Sequence, residues 1–421
     1  MAAMVTRDLD IVLYGATGFV GRLTARYLAG RADGLRVALA GRSRHRLETL
    51  RTDLGDAASA WEVIEVDAHD AHALRSLAGR TTVLATTVGP YVLHGKAVVR
   101  ACAEAGTHYA DLTGEVLFVR WSVDEISSVA QTSGARIVHA CGYDSVPSDL
   151  GVLLLARRAA ADGTGTLGDT VLAVRSAKGG FSGGTFHSAR HQAMAAANDP
   201  DARRVLGDPH ALSHRRGEEP SGGARRPRGL PSRLRKLLPV QRDPQTGRWN
   251  GPFVMAGFNT RIVRMSNTLT DWSYGRDFRY REVVDFGSGP LAPLLAGGMA
   301  VGLAGGLAGL SWGPTRAVLD RVLPKPGEGP SEERMAGGRF RMEIRTRTSG
   351  GATYLARVAA PYDPGYTGTA VMLGEAVLAL LQDRDRLPAR AGVLTPATAL
   401  GDVLIERLRD QNFTLEVERL A

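Results

Sequence analysis

Up to about residue 140 the chain alternates short β-branched runs with stretches whose apolar residues recur every three or four positions. The runs fall at residues 11–14, 36–40, 61–66, 82–86 and 136–139, and their length and flanking turn residues predict strands. Between them Leu23, Tyr27 and Leu28 share a helical face, as do Val98, Val99 and Cys102. Such alternation predicts an α/β fold with a parallel sheet and crossover helices. A second region opens with a strand-like stretch over 170–175, and residues 340–358 read as a hairpin turning at Ser349-Gly-Gly351, so a mixed sheet is expected there. Helices are predicted over 369–382, from Val371, Met372, Glu375 and Leu378, and over 398–409, from Leu400, Leu404 and Leu408. The division this suggests is 1–150, 151–365 and 366–421.

Two segments break the rhythm. Residues 199–248 mix Pro, Gly and Arg with little periodicity and read as a long surface loop or insertion. Between Arg203 and Arg248 stand 12 Lys or Arg against 4 Asp or Glu, which supplies most of the chain's net charge of +9. Residues 291–310 carry no charge and six glycines. That is the length of a membrane span, with Gly298, Gly302 and Gly306 four apart. Pro293 and the weak apolarity of Gly and Ala favour instead an interfacial or acyl-contacting helical hairpin, with ordinary core as a third reading.

A chain of 421 residues with 44% hydrophobic and 23% charged residues is not disordered throughout. Cys102 and Cys141, its two cysteines, make neither a disulfide framework nor, alone, a zinc site. Arg7, Asp8 and Asp10 interrupt any export signal, so a cytoplasmic location is expected. The basic stretch lacks the interleaved aromatics that nucleic acid would want, with Trp249 alone nearby.

The sharpest chemical signal is Tyr14-Gly-Ala-Thr-Gly-Phe-Val-Gly21, between a predicted strand and a predicted helix. Gly15, Gly18 and Gly21 permit a tight turn, backbone approach to a pyrophosphate and close helix–strand packing, and the helix N-terminus favours the anion. Ala16, Thr17, Phe19 and Val20 complete that cradle. Where an NAD site would carry an acid, the second strand ends in Arg42 and Ser43, with Arg44 and Arg46 following; a guanidinium and a hydroxyl there suit a 2′-phosphate, so NADPH is the expected cofactor. Asp67 closes the third strand, either facing the adenine amino group or capping the strand. Thr87, Gly89 and Pro90 should border the nicotinamide ribose, and Tyr91 either presents its hydroxyl to substrate or packs on the loop.

Cys141-Gly-Tyr-Asp-Ser-Val-Pro147, taken to follow the fifth strand, should face the cofactor from the same edge. Tyr143 is a candidate donor to a developing enolate, with Asp144 or Ser145 orienting it or relaying a proton; a helix-starting turn is the plainer reading. Glu115 is the other carboxylate near this edge. Gly180-Phe-Ser-Gly-Gly184 fits a hydrolase nucleophile pattern in letters only, and Gly183-Gly-Thr185 reads better as a loop lining the substrate cleft. His187 and His191 lack a third ligand, so no metal is expected.

These stretches together resemble the saccharopine-dehydrogenase-like reductases, and within them the actinobacterial trans-acting enoyl reductases. The matching blocks are DIVLYGATGFVG from Asp10, ALAGRSRHRL from Ala38, VGPYVLHG from Val88, HYADLTGE from His108, CGYDSVPSDLG from Cys141, Gly183-Gly-Thr185, GYTGTAVMLGEAVLALL from Gly365 and the block beginning Ala391-Gly-Val. The resemblance implies an N-terminal Rossmann domain with a doubly wound parallel sheet, a second α/β domain carrying the substrate surface, and C-terminal helices that return to the first. It also implies an NADPH-dependent reductase of acyl or polyketide thioesters, working on double bonds that a partner synthase leaves. The basic segment would then meet an acidic acyl carrier protein or synthase, or an anionic lipid surface that holds the enzyme peripherally at a membrane; a solvated loop with no dedicated partner is the other reading. A saccharopine-type amino-acid dehydrogenase and a non-catalytic NADP-binding sensor stay open, as does self-association into an oligomer.

Overall fold

The computed structural model describes residues 7–179, 183–220, 240–244, 246–311 and 330–420. Its first half runs β1 (Leu9–Tyr14), α1 (Phe19–Ala29), β2 (Val37–Gly41), α2 (Arg44–Asp53), β3 (Glu62–Glu65), α3 (Ala71–Arg80), β4 (Thr81–Thr86), α4 (Tyr91–His94), α5 (Lys96–Ala105), β5 (His108–Asp111), α6 (Val116–Glu125), α7 (Ser127–Ser133) and β6 (Arg136–Val138). The second half runs α8 (Val146–Ala161), β7 (Leu167–Lys178), α9 (Gly183–Asn198), α10 (Pro200–Gly207), β8 (Gln241–Arg242), β9 (Trp249–Pro252), α11 (Ala256–Leu269), β10 (Arg279–Gly287), α12 (Ala292–Ser311), α13 (Glu332–Ala336), β11 (Arg339–Thr348) and β12 (Thr353–Ala360). The chain ends with α14 (Thr367–Gln382), β13 (Gly392–Leu394), α15 (Pro396–Ala399), α16 (Gly401–Asp410) and β14 (Thr414–Arg419).

One sheet has the order β13-β6-β5-β4-β1-β2-β3 and every pairing in it is parallel. Helices cover both its faces, which is why β1, β2 and β4 read as unbroken apolar runs. The other sheet has the order β14-β12-β11-β7-β10-β9-β8, with β7 and β10 parallel and the rest antiparallel. There Phe340, Met342 and Ile344 are buried between outward Arg341, Glu343 and Arg345, the alternation of a sheet with one covered face.

The parallel sheet, the mixed sheet and the hairpin at 349–351 match the sequence reading. Four details do not. His108–Asp111 is itself a strand, so the strand before Cys141 is the sixth and not the fifth; at four residues with His and Asp at its ends it gives little periodic signal. The C-terminal segment is more than helices: β13 extends the first sheet and β14 pairs with β12 on the second, so this segment ties both halves. The helix expected over 398–409 breaks at Gly401, whose φ is +52°, into α15 and α16. The expected loop over 199–248 contains α10, and Ala211 and Leu212 are fully buried; residues 221–239 and 245 of that segment lie outside the described residues.

The return of the chain to the first domain is close. α14 packs on α1, where Gly374 leaves room for the Tyr27 ring. Tyr27 donates to the buried Glu375 carboxylate, which also pairs with Arg31 and Arg407. The apolar stretch 291–310 forms a single helix in place of a hairpin, and among the described residues no helix is long and apolar enough to cross a membrane.

Candidate active site

A cleft of about 990 Å³ opens at the carboxyl ends of the parallel strands, between them and the second half. Its nucleotide end is built by the turn after β1. Gly15 has φ +86°, a conformation that suits glycine, and its carbonyl accepts the Gly18 N–H at 3.0 Å. A Cβ on Gly21 would collide with the Gly15 carbonyl and Ala16, so glycine there sets how closely α1 sits on the strand. Gly18 caps α1 with no side-chain bond, and no acid occupies the first turn. Those first amides are left free for an anion.

Gly15, Thr17, Gly18, Phe19, Val20 and Gly21 line the cleft, and so do Arg42, Ser43, Asp67, Thr87 and Gly89. Two expected cofactor residues do not. Ala16 is fully buried beneath the turn, and Pro90 turns its carbonyl into α4, accepting the Leu93 and His94 amides. Ser43 also caps α2, accepting the Arg46 N–H at 3.5 Å. Arg42 and Arg46 border the cleft without an ion pair to any described acid, which suits an anion site. The Asp67 carboxylate accepts the His69 amide at 2.8 Å, and the residue lines the cleft. His69 and His94, edge to face at 5.4 Å, complete this end; sequence reasoning passed over them because they become neighbours only in the fold. A glycine cradle with free amides and unpaired guanidinium groups fits NADP.

At the other end the Tyr91 hydroxyl donates to the Thr86 carbonyl and accepts the Leu112 N–H, both at 3.2 Å. Its hydroxyl is therefore engaged by main chain, burial pushes its pKa well up, and the residue also lines the cleft. Glu115, fully buried, accepts the Tyr91 and Val92 amides at 2.8 Å and the Ser188 hydroxyl of α9 at 2.6 Å. Gln192 joins the same helix to the Gly114–Val116 loop.

Tyr143 borders the cleft at 6% exposure. Its amide donates to Thr369 Oγ1 at 3.1 Å, and its ring packs edge-on against Phe340. Among the described residues it is the one cleft-lining side chain whose buried polar atom has no partner. Burial raises its pKa, with Glu282 and Asp144 adding to the shift. Asp144 also lines the cleft, and burial pushes its carboxyl up to about 6. Next to Tyr143, Ser145 leaves the cleft and donates to Asn259, so it braces the turn.

Behind both loops lies a network that the sequence did not suggest. The Asp111 carboxylate bonds His139 Nδ1 at 2.7 Å, the Tyr109 hydroxyl at 3.0 Å and the amides of Ala140 and Thr113, and His139 Nε2 meets Ser122 Oγ at 2.9 Å. Although Ser, His and Asp are in register, all three are buried and none lines the cleft, so the network fixes loops and does not attack substrate. Its trace in the sequence is the block His108–Glu115, where Asp111 closes a strand that was not recognised.

The far wall comes from α9, through Ser188, Gln192, Ala193 and Ala196, and from Leu206, Phe253, Val254, Met255, Phe258 and Arg261. α9 begins at Gly183, so Gly183–Thr185 is helix and not loop. Gly180, Phe181 and Ser182 of the hydrolase-like pattern, and the side chains of Thr185 and His187, lie outside the described residues. Arg261 is bonded to the carbonyls of Asp208 and Leu206, and Arg22 to that of Thr17.

Residues 11–138 match the family model described as saccharopine dehydrogenase NADP binding domain. A Mycobacterium tuberculosis protein provisionally named a trans-acting enoyl reductase is 51% identical, over 99% of each chain. A Mycobacterium ulcerans protein named trans-acting enoyl reductase is 47% identical over 98% of this chain and 99% of its own. Among solved structures, apo saccharopine dehydrogenase (L-Glu forming) from Saccharomyces cerevisiae superposes with a TM-score of 0.54 over 98% of this chain and 100% of its own, at 12% identity. That likeness bears on the fold.

Proposed function

The chain belongs to the trans-acting enoyl reductases of the saccharopine dehydrogenase-like family, and from that membership we propose that it reduces the carbon–carbon double bond of an enoyl thioester built by a separate synthase, in lipid or polyketide assembly. It is an NAD(P)H-dependent oxidoreductase, and NADP is its cofactor. The observation that carries the substrate reading is the unpaired Tyr143 hydroxyl beside Asp144 in a cleft also lined by the apolar Leu112, Val116, Phe253, Met255 and Phe258. An amino-dicarboxylate would need paired cations there. Among the described residues the lining cations are Arg22, Arg42 and Arg46 at the nucleotide end and Arg261, already bonded to carbonyls.

The residue roles follow from position. The Gly15–Gly21 turn takes the pyrophosphate, Arg42 and Ser43 the 2′-phosphate, Asp67 the adenine side, and Thr87 and Gly89 the nicotinamide ribose. When bound, the reduced cofactor supplies a hydride to the β-carbon. Tyr143 donates a hydrogen bond to the thioester oxygen as negative charge gathers on it. Asp144, protonated up to about pH 6, gives its proton to the α-carbon and regains one from solvent. Tyr91 does no proton chemistry; with Glu115 it keeps the loop in place.

We assign the basic segment 203–248 to docking an acidic acyl carrier or synthase, with the enzyme working in the cytoplasm beside a lipid-building membrane. The test is a panel of enoyl thioesters followed at the NADPH absorbance, run beside an amino-acid and keto-acid panel. Turnover of thioesters alone supports the reading. Turnover of the amino-acid panel alone would replace it with the saccharopine-type reaction, and tight NADPH binding with no turnover would indicate a sensor.

A further inference from the structure

α12 lies on β9 and β10 and beside α9, with one face buried and the other in solvent. Ala292, Ala296 and Ala300, four apart, are buried. Gly251 of β9 lets the helix come close, since a Cβ there would stand 3.4 Å from the Ala296 carbonyl. On the outer side Leu291, just before the helix, and Leu294, Leu295, Met299 and Val301 are between 40% and 72% exposed. They are five of the eight large apolar side chains that the described residues leave exposed. Gly298, Gly302 and Gly306 face open space, so the glycine ladder is not packed on a described helix. No charged side chain occurs from Phe286 to Thr315, and residues 291–306 contain no polar side chain.

A contiguous alkyl surface of this kind marks contact with another phase or molecule. Protein partners are recognised by aromatic, Arg and hydrogen-bonding groups, and this face offers none. A bilayer requires none. At β10, on which the helix lies, Arg175, Arg248 and Arg341 outnumber the two carboxylates they share, Asp285 and Glu343, the sign of charge an anionic bilayer attracts. Val254, exposed and two residues beyond β9, lines the cleft, so the strand on which α12 packs leads into the cleft wall. We propose that α12 is a membrane-contact helix that lays its Leu294–Leu295–Val301 face into the surface of an anionic bilayer, without crossing it.

The test is flotation of the full chain with vesicles of equal parts phosphatidylglycerol and phosphatidylcholine, and with vesicles of phosphatidylcholine alone. The parent should float with the anionic vesicles and be partly released by salt. The exposed-site variant Leu294→Gln/Leu295→Gln/Val301→Gln should lose at least about tenfold of that partition while still binding NADPH as the parent does. A parent that stays with the soluble protein, or a triple variant that floats as well as the parent, overturns the proposal. So does a parent dimer, seen by sedimentation, that the triple variant converts to monomer without any flotation of either; the face would then belong to a second copy. Flotation reads no turnover, so its failure leaves the enoyl-reductase reading standing.

Discussion

Glu115 and Ser188 meet at 2.6 Å, one fully buried at the start of α6 and the other on the α9 wall of the cleft. Because the same carboxylate also holds the Tyr91 and Val92 amides, the loop at the nicotinamide end and the far wall are fastened at one point. Glu115→Ala leaves the buried Tyr91 amide and the part-buried Val92 amide without this acceptor, at about 1–3 kcal/mol for a buried group when nothing replaces the partner. The expected outcome is a lower melting temperature and weaker substrate saturation, read by calorimetry and by KM for a short enoyl thioester. A melt identical to the parent's would show that water replaces the carboxylate.

Arg42 borders the cleft with no ion pair to a described acid. NADPH should bind at least tenfold more tightly than NADH, about 1.4 kcal/mol, and Arg42→Ala should remove most of that preference. Fluorescence titration of both nucleotides measures it, and equal affinities in the parent would refute the 2′-phosphate assignment.

Tyr143 and Tyr91 should respond differently to loss of the hydroxyl. Tyr143→Phe removes a group with no protein partner and should keep NADPH affinity while raising the barrier by about 2–4 kcal/mol, the scale of one lost oxyanion donor. Tyr91→Phe instead removes two main-chain bonds and should cost stability first. Parental kcat in Tyr143→Phe would move the donor to another group.

Asp144 as proton donor implies an alkaline limb in the pH profile. With its carboxyl pushed up to about 6 by burial, the protonated form needed for donation is lost as pH rises through that value, so kcat should fall there. Asp144→Asn should be slow and lack that limb. A parental profile flat through this range would exclude Asp144 as the donor.

Stability should also fall with rising pH. Burial raises Asp144 and Asp149 to about 6 and Glu282 to about 7, above their unfolded values near 4. A raised folded pKa means that the folded state holds more protons than the unfolded one between about pH 4 and 7. Stability from these groups is full below that window and is lost as pH rises through it. Glu282→Gln keeps an acceptor for the Tyr280 hydroxyl and should flatten the melting temperature between pH 6 and 8, in the range of about pH 7 where Glu282 titrates. An unchanged slope would mean that Glu282 stays near its ordinary value.

Much of the nucleotide end was legible because its chemistry is local. Gly15, Gly18 and Gly21 need one another at fixed spacing, and Arg42 follows its own strand. The hairpin at 349–351 was legible for the same reason. Tyr143 and Asp144 were named from a loop position, but whether a hydroxyl is free or spent depends on what lies opposite it. Tyr91 finds the Leu112 amide, 21 residues on, and Tyr143 finds no partner.

The sequence by itself determined the parallel and mixed sheets and the glycine turn after β1, since periodicity of side chains and glycine conformation act within a few residues of each other. Only the tertiary structure decided which edges β13 and β14 extend, that Asp111 joins His139 and Ser122 behind the cleft, that Glu115 reaches Ser188, and that α12 buries Ala292, Ala296 and Ala300 and exposes Leu294 and Leu295. Those outcomes depend on which distant surfaces come to share a boundary. A uniformly apolar helix has no polar stripe to announce its buried side, and a strand of three or four residues acquires its hydrogen bonds only when its neighbours are in place.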